Sequence, residues 1–343
     1  MKKLFCFTFL TFLQALFGQN PIEEILQEEF EKGRFNGSVL WSDNGEVFQF
    51  HKGFSNIQFE VEINDETRFP IASISKLFTS IAILQMMEKG KLDFNHSIDK
   101  YIADLPENSK NIQIQDLLIH HSGLANEPLK AVSEKFSLDE YIQNFVNKSE
   151  EEVVFNYNNV DFVLLSKLIE NSTGKKFSMA LEDIIFRPLN LNDTGFVDES
   201  EVIKNLAYGY HNYSFGEGEK DDSLFNDSRY ISNYYGAGAI YSTLQDLHKF
   251  LFALKNNDLI SEETKYQFLL KPQTDEFIDW LSGIPTIGFY YDEPKSVYRR
   301  SGSIDGFNSE IITNADFDKI LIILCNTDTA DLENLANKIY FKK

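Results

Sequence analysis

Strand-forming segments stand at both ends of this chain and helix-forming segments fill its middle, so a sheet built from it draws strands from both termini. Near the start, GSVLWSDNGEVFQFHKG holds two extended runs around Asn44-Gly45, a dipeptide suited to the positive φ angles of a tight hairpin. Near the end, PTIGFYYD, VYRRSGSIDGFNSEIITN and KILIILCNT read as further strands, and a last helix is expected from about Asp331 to Tyr340. Ahead of the hairpin, NPIEEILQEEFEKG has Asn20 as N-cap, Pro21 at the first helical position, acids early and Gly33 past the end, which predicts a helix. Patterns such as Leu138 to Val146 and Val160 to Glu170 repeat at helical spacing in the middle, and another helix is expected from about Thr243. The expected fold class is α/β of the α+β type: an antiparallel sheet flanked by helices, built from about 20–95 and 231–343, with an inserted helical subdomain over about 96–230. The polar stretch Asn212 to Tyr230 is expected to be a loop.

The first residues, MKKLFCFTFLTFLQALFGQN, place two lysines before an apolar run and small or polar residues after it. That order predicts a secretory signal peptide over 1–19, cut near Gly18 to Asn20, and hence a periplasmic or extracellular protein of residues 20–343. The run from Leu4 to Phe17 is shorter than the roughly 18–20 apolar residues of a membrane span, so no stable span is expected after cleavage. Cleavage would leave Cys325 alone, which rules out an intramolecular disulfide and leaves stability to the core. The formal net charge of −21 opposes binding to nucleic acid or to anionic membranes. No P-loop or dinucleotide fingerprint is present, and His51, His96, His120, His121, His211 and His248 show no HExxH spacing, so neither a cofactor nor a metal is expected.

The chemistry candidates begin with FPIASISKLFTS. Ser73 and Lys76 are three apart where a helix opens, and Leu77, Phe78, Ile81, Ala82, Leu84 and Met86 follow at helical spacing until Gly90. A lysine whose pKa is lowered by burial takes the proton of an adjacent serine, and free N–H groups at a helix start favour developing negative charge. The spacing recurs at Ser97/Lys100 and Ser172/Lys175, but the first lies in a polar turn and the second closes a helix; only Ser73 heads a buried one. Tyr157-Asn158-Asn159 precedes another apolar helix: a tyrosine beside a cation shuttles protons, an asparagine amide orients lysine and substrate, and an N-cap is the bland alternative. Arg300-Ser301-Gly302-Ser303 supplies a cation before a glycine in an extended run, where substrate lies close to a strand. His121-Ser122-Gly123 fits by letters, but a loop follows it.

SxxK, then YxN, then a cation-x-Gly strand near the C-terminus resembles the penicillin-recognising serine hydrolases, and the tyrosine in the second motif resembles the class C β-lactamase, D-alanyl carboxypeptidase and esterase branch. IQIQDLLIHHSGL, FNYNNVDFVLLSKLIENSTGK and GAGAIYSTLQDLHKFL are similar to segments of that branch, and the resemblance spans roughly residues 20 to 340. It implies a β-lactamase/transpeptidase-like fold with the site between sheet and helical subdomain. It also implies that Ser73 is acylated, that Lys76 is its general base, and that Tyr157 hands a proton to the leaving group. Asn159 would bind Lys76 and a substrate amide, and the N–H groups of Ser73 and Ser303 would form the oxyanion hole. The third motif usually begins with Lys or His; Arg300 keeps the charge, suits a substrate carboxylate, and leaves the proton relay. The expected protein is a secreted serine hydrolase of a small-molecule or peptide substrate, cleaving an amide or ester such as a D-amino-acid peptide, β-lactam or small ester. The alternative is a non-catalytic descendant that binds peptidoglycan or a partner.

Overall fold

The computed structural model describes residues 21–147, 153–210, 230–328 and 330–342. The expected signal peptide, its cleavage region and all but the last residue of the expected 212–230 loop lie outside them.

Among the described residues, seven antiparallel strands form the central sheet: β1 (Gly37–Asp43), β2 (Glu46–Lys52), β3 (Ile284–Pro285), β4 (Tyr290–Asp292), β5 (Val297–Ile304), β6 (Phe307–Thr313) and β7 (Lys319–Cys325). Their spatial order is β2-β1-β7-β6-β5-β4-β3, so the terminal segments meet where β1 pairs with β7, Gly37 facing Cys325 and Asp43 facing Lys319. The β1–β2 turn takes φ of 50° at Asn44 and 90° at Gly45, the left-handed pair a tight hairpin needs. The stretch expected as one strand over PTIGFYYD is interrupted between β3 and β4, where Gly288 turns the chain at φ 117°.

Side-chain alternation gives the sheet two apolar faces. Val39, Ile312, Leu321 and Ile323 pack with Ile22 and Leu26 of helix α1 (Pro21–Glu31) and with the C-terminal helix Leu332–Tyr340. Leu40, Ile311, Ile322 and Leu324 face the other way, into the large core. At its centre runs α2 (Ser75–Glu88), buried all round from Ser75 to Met86. Phe78 stacks on Phe250 of the helix Leu244–Lys255 at 4.1 Å and meets Phe186 edge-on at 5.8 Å. The helices between residues 96 and 210 include Leu138–Phe145 and α3 (Val160–Thr173), which packs against α2 and ends at left-handed Gly174 (φ 68°). Among the described residues no helix is long and apolar enough to cross a membrane.

Candidate active site

The short strand Phe69–Pro70 pairs with Ile240–Ser242, and Ile71 N–H donates to Ile240 O at 2.9 Å. Ala72 then takes a left-handed φ of 45°, a conformation that costs a β-carbon-bearing residue of order 1–3 kcal/mol and persists only where packing enforces it. One 3₁₀ turn, Ala72–Ile74, leads into α2. Ser73 is thereby the single partly exposed position in a stretch otherwise buried from Phe69 to Met86.

Lys76, fully buried, reaches back to it. Its Nζ lies 3.0 Å from Ser73 Oγ, 2.7 Å from Asn159 Oδ1 and 2.8 Å from the main-chain oxygen of Ala237. The last two atoms only accept, so they take two N–H bonds, and the remaining tetrahedral direction of the nitrogen faces Ser73 Oγ. In the neutral amine that direction is the lone pair. Burial pushes the Lys76 pKa down, with Arg300 acting in the same sense and Tyr157 and Glu127 against it. The Ala237 carbonyl is fixed by its turn: Thr79 Oγ1 donates to Gly236 O at 2.9 Å, and Gly236 N–H donates to Ser166 Oγ at 2.9 Å. A β-carbon on Gly236 would stand 2.4 Å from Thr79 Oγ1, so only glycine fits.

Tyr157 OH lies 2.7 Å from Ser73 Oγ on the other side. Burial raises its phenol, but the charges of Lys76 and Arg300, with side-chain hydrogen bonding to Ser73 and Lys76, outweigh that and bring it below the usual tyrosine value. Its ring rests 4.4 Å from the His120 ring and edge-on to Trp280 at 5.5 Å. His120 bonds through Nδ1 to Asp161 at 2.9 Å, and Ser122 Oγ donates to the same carboxyl at 2.5 Å. Burial, then the charges of Lys76 and Arg300, keep His120 neutral far below its ordinary pKa. His120, in the IQIQDLLIHHSGL segment, thus packs against Tyr157 and is itself held by Asp161.

Asn159 occupies the N-cap position of α3, yet its side chain makes no cap bond. Asn158 Oδ1 instead accepts from Asp161 N at 2.9 Å, which frees Asn159 to hold Lys76 through Oδ1 and to donate through Nδ2 to Glu127 at 2.6 Å. One of the two N–H groups of Asn159 Nδ2 is engaged by Glu127, a residue the sequence reading did not single out.

β5 passes beside the serine turn. A β-carbon on Gly302 would stand 2.4 Å from Ile71 O, 2.5 Å from Ser309 Oγ and 3.0 Å from Ser73 N. The close approach that requires glycine here is to the backbone of the serine turn. Ser303 lines a cavity of about 190 Å³ together with Ser73, Tyr157 and Asn159. Arg300 does not line it. Its side chain is 3% exposed, its Nε donates to Ser73 O at 3.0 Å, its guanidinium packs 5.6 Å from the Tyr290 ring, and its Nη2 is buried without a partner. Arg300 shares the face of Gly302, which is pressed on the serine turn. Among the described residues no cluster of side chains is arranged to hold a metal.

The beta-lactamase family model matches residues 22–340. The chain belongs to the beta-lactamase family. The teichoic acid D-alanine hydrolase of Staphylococcus aureus is 28% identical over 331 residues, which cover 94% of this chain and 78% of that protein. FmtA of the same organism superposes with a TM-score of 0.79 at 26% identity, covering 93% of this chain and 84% of the other. The D-amino acid amidase of Ochrobactrum anthropi superposes with a TM-score of 0.77 at 23% identity, covering 92% and 96%, and shares the fold. As a beta-lactamase-family protein with hydrolases among its relatives, the chain is a serine hydrolase of this superfamily.

Proposed function

We propose that Ser73 is the acylated nucleophile and that the protein hydrolyses an ester or amide of a D-amino acid. The observation that carries the reading is the placement of Ser73 Oγ between Lys76 Nζ at 3.0 Å and Tyr157 OH at 2.7 Å. Both groups are within proton-transfer reach, and both have pKa values lowered toward working pH. Neutral Lys76 takes the serine proton as Oγ bonds to the substrate carbonyl carbon, and the oxygen that becomes negative meets the N–H groups of Ser73 and Ser303. The carbonyl–leaving-group bond breaks as the proton passes through Tyr157 to the departing alcohol or amine. Water attacks the acyl-enzyme with the same pair as base, releasing the acid and restoring Ser73. Arg300 is the fixed charge that keeps both proton carriers acidic.

The D-amino acid is inferred from the names of the relatives: one is a teichoic acid D-alanine hydrolase and another a D-amino acid amidase. The charged-then-apolar order of residues 1–19 supports an exported protein. The test is hydrolysis of D-alanine methyl ester against its L enantiomer by wild type and Ser73→Ala. Turnover of the D ester that disappears in the variant supports the reading, and turnover that survives in it refutes it.

A further inference from the structure

We propose that Asp161 is a positioning residue for Tyr157: by clasping the loop of His120 and Ser122 to the start of α3 it fixes the ring on which Tyr157 rests, and so governs delivery of the proton to the leaving group. The inference rests on the hydrolase reading above and gives a role to a buried acid that the acylation steps leave unused.

Asp161 is fully buried in the first turn of α3, two residues after Asn159. A buried carboxyl is costly unless its oxygens are bonded, and here both are. Oδ2 lies 2.9 Å from His120 Nδ1, and Oδ1 accepts from Ser122 Oγ at 2.5 Å. Among the described residues no lysine or arginine pairs with it. The whole carboxyl is thus spent on two side chains of one loop. That loop takes its shape from distant partners. His120 follows the end of the short helix Ile114–Leu118 and adopts a left-handed φ of 60°, uncommon outside glycine. Asn156 N–H donates to His120 O at 2.9 Å and Asn156 Nδ2 donates to Leu124 O at 3.0 Å, which fixes the main chain. The imidazole has a single polar anchor. Its Nε2 is buried without a partner, so the bond between Nδ1 and Asp161 sets the rotation of the ring.

The ring so held meets the Tyr157 ring at 4.4 Å and the Phe162 ring at 5.3 Å between centroids. Tyr157 OH in turn stands 2.7 Å from Ser73 Oγ. Passing a proton to the departing atom requires the phenol within hydrogen-bond distance of it. A rotated or displaced imidazole lets Tyr157 tilt away, whereas Lys76 is held independently by Asn159 and Ala237. Loss of Asp161 therefore separates the two proton transfers. Deprotonation of Ser73 by Lys76 survives, and protonation of the leaving group does not.

The test compares kcat/KM, which reports acylation, for two esters of one acyl group. D-alanine p-nitrophenyl ester releases its alcohol as a stable anion, and D-alanine methyl ester needs a proton on the departing oxygen. Asp161→Ala is expected to lose about 10- to 100-fold on the methyl ester and to stay within about threefold of wild type on the p-nitrophenyl ester. Asp161→Asn keeps a carbonyl for Ser122 and an N–H for His120, and is expected to recover most of the methyl ester rate. His120→Leu, which removes the ring and leaves Asp161 on Ser122, is expected to show the same split as Asp161→Ala, so a folding failure in either variant leaves the other to decide. Tyr157→Phe is expected to show the split as well, and adding Asp161→Ala to it is expected to widen the split no further. Equal losses on the two esters, or a loss that adds in full to that of Tyr157→Phe, overturns the assignment, while fluorophosphonate labelling of Ser73 in wild type leaves the hydrolase reading standing. Absence of that label in folded wild type removes both.

Discussion

Lys76 Nζ donates to the main-chain oxygen of Ala237 across 2.8 Å, and this bond, with the one to Asn159, aims the amine at Ser73. A side chain at position 76 must therefore be a base as well as reach the serine. Lys76→Ala is expected to slow acylation by about 10²- to 10⁴-fold. Lys76→Arg is expected to do no better, because a guanidinium stays protonated. Stopped-flow acylation with an activated ester measures both, and near-wild-type acylation by Lys76→Arg would count against Lys76 as base.

Gly302 is expected to tolerate no side chain. In Gly302→Ala the new methyl collides with Ile71 O, Ser309 Oγ and Ser73 N, so either β5 or the serine turn must move. The expected outcome is a stability loss of about 1–3 kcal/mol together with a fall in acylation rate. Denaturant unfolding and acylation are measured on the same preparation, and unchanged acylation would contradict the tight seating of β5.

Arg300 lowers the pKa of both Lys76 and Tyr157. Removing its charge raises both, so the acid limb of the kcat/KM profile moves to higher pH. Arg300→Gln is expected to shift it to higher pH, and Arg300→Lys by less. A limb that does not move in Arg300→Gln would assign it to another group. His120, neutral far below its ordinary pKa, does not contribute to it.

Glu310, 4% exposed, has its carboxyl pushed up by burial from the ordinary 4.5 to about 7, with Arg299 opposing. Its folded-state pKa lies above its unfolded value, so the native state holds the proton more tightly. The associated stability is fully present below about pH 4.5 and is lost as pH rises toward and through 7. Glu310→Gln is expected to remove that dependence, gaining roughly 3 kcal/mol on wild type between pH 4.5 and 8. Urea unfolding across the range measures the difference, and a gap independent of pH would contradict the raised pKa.

Much of the frame was legible because local pattern and tertiary structure agree: Asn44-Gly45 turns where expected, and the apolar run after Ser73 is the buried helix α2. Ser73, Lys76, Tyr157 and Asn159 were separable from the look-alike pairs because each heads or precedes a buried helix. The partners they meet were not legible. Ala237 acts through a main-chain oxygen, which no residue type announces, and the Gly-rich GAGA was its only sign. Glu127 and His120 sit in loop segments whose neighbours are set by packing across the chain. The burial of Arg300 was not legible from its residue type; its two-residue spacing from Gly302 puts both on one face of the strand.

The most direct measurement is intact-mass analysis and peptide mapping after incubation with a fluorophosphonate, on wild type and Ser73→Ala. A single adduct on the peptide containing Ser73, absent from Ser73→Ala and strongly slowed in Lys76→Ala, is the predicted result. An unlabelled but folded wild type, or an adduct that persists in Ser73→Ala, would contradict Ser73 as the nucleophile.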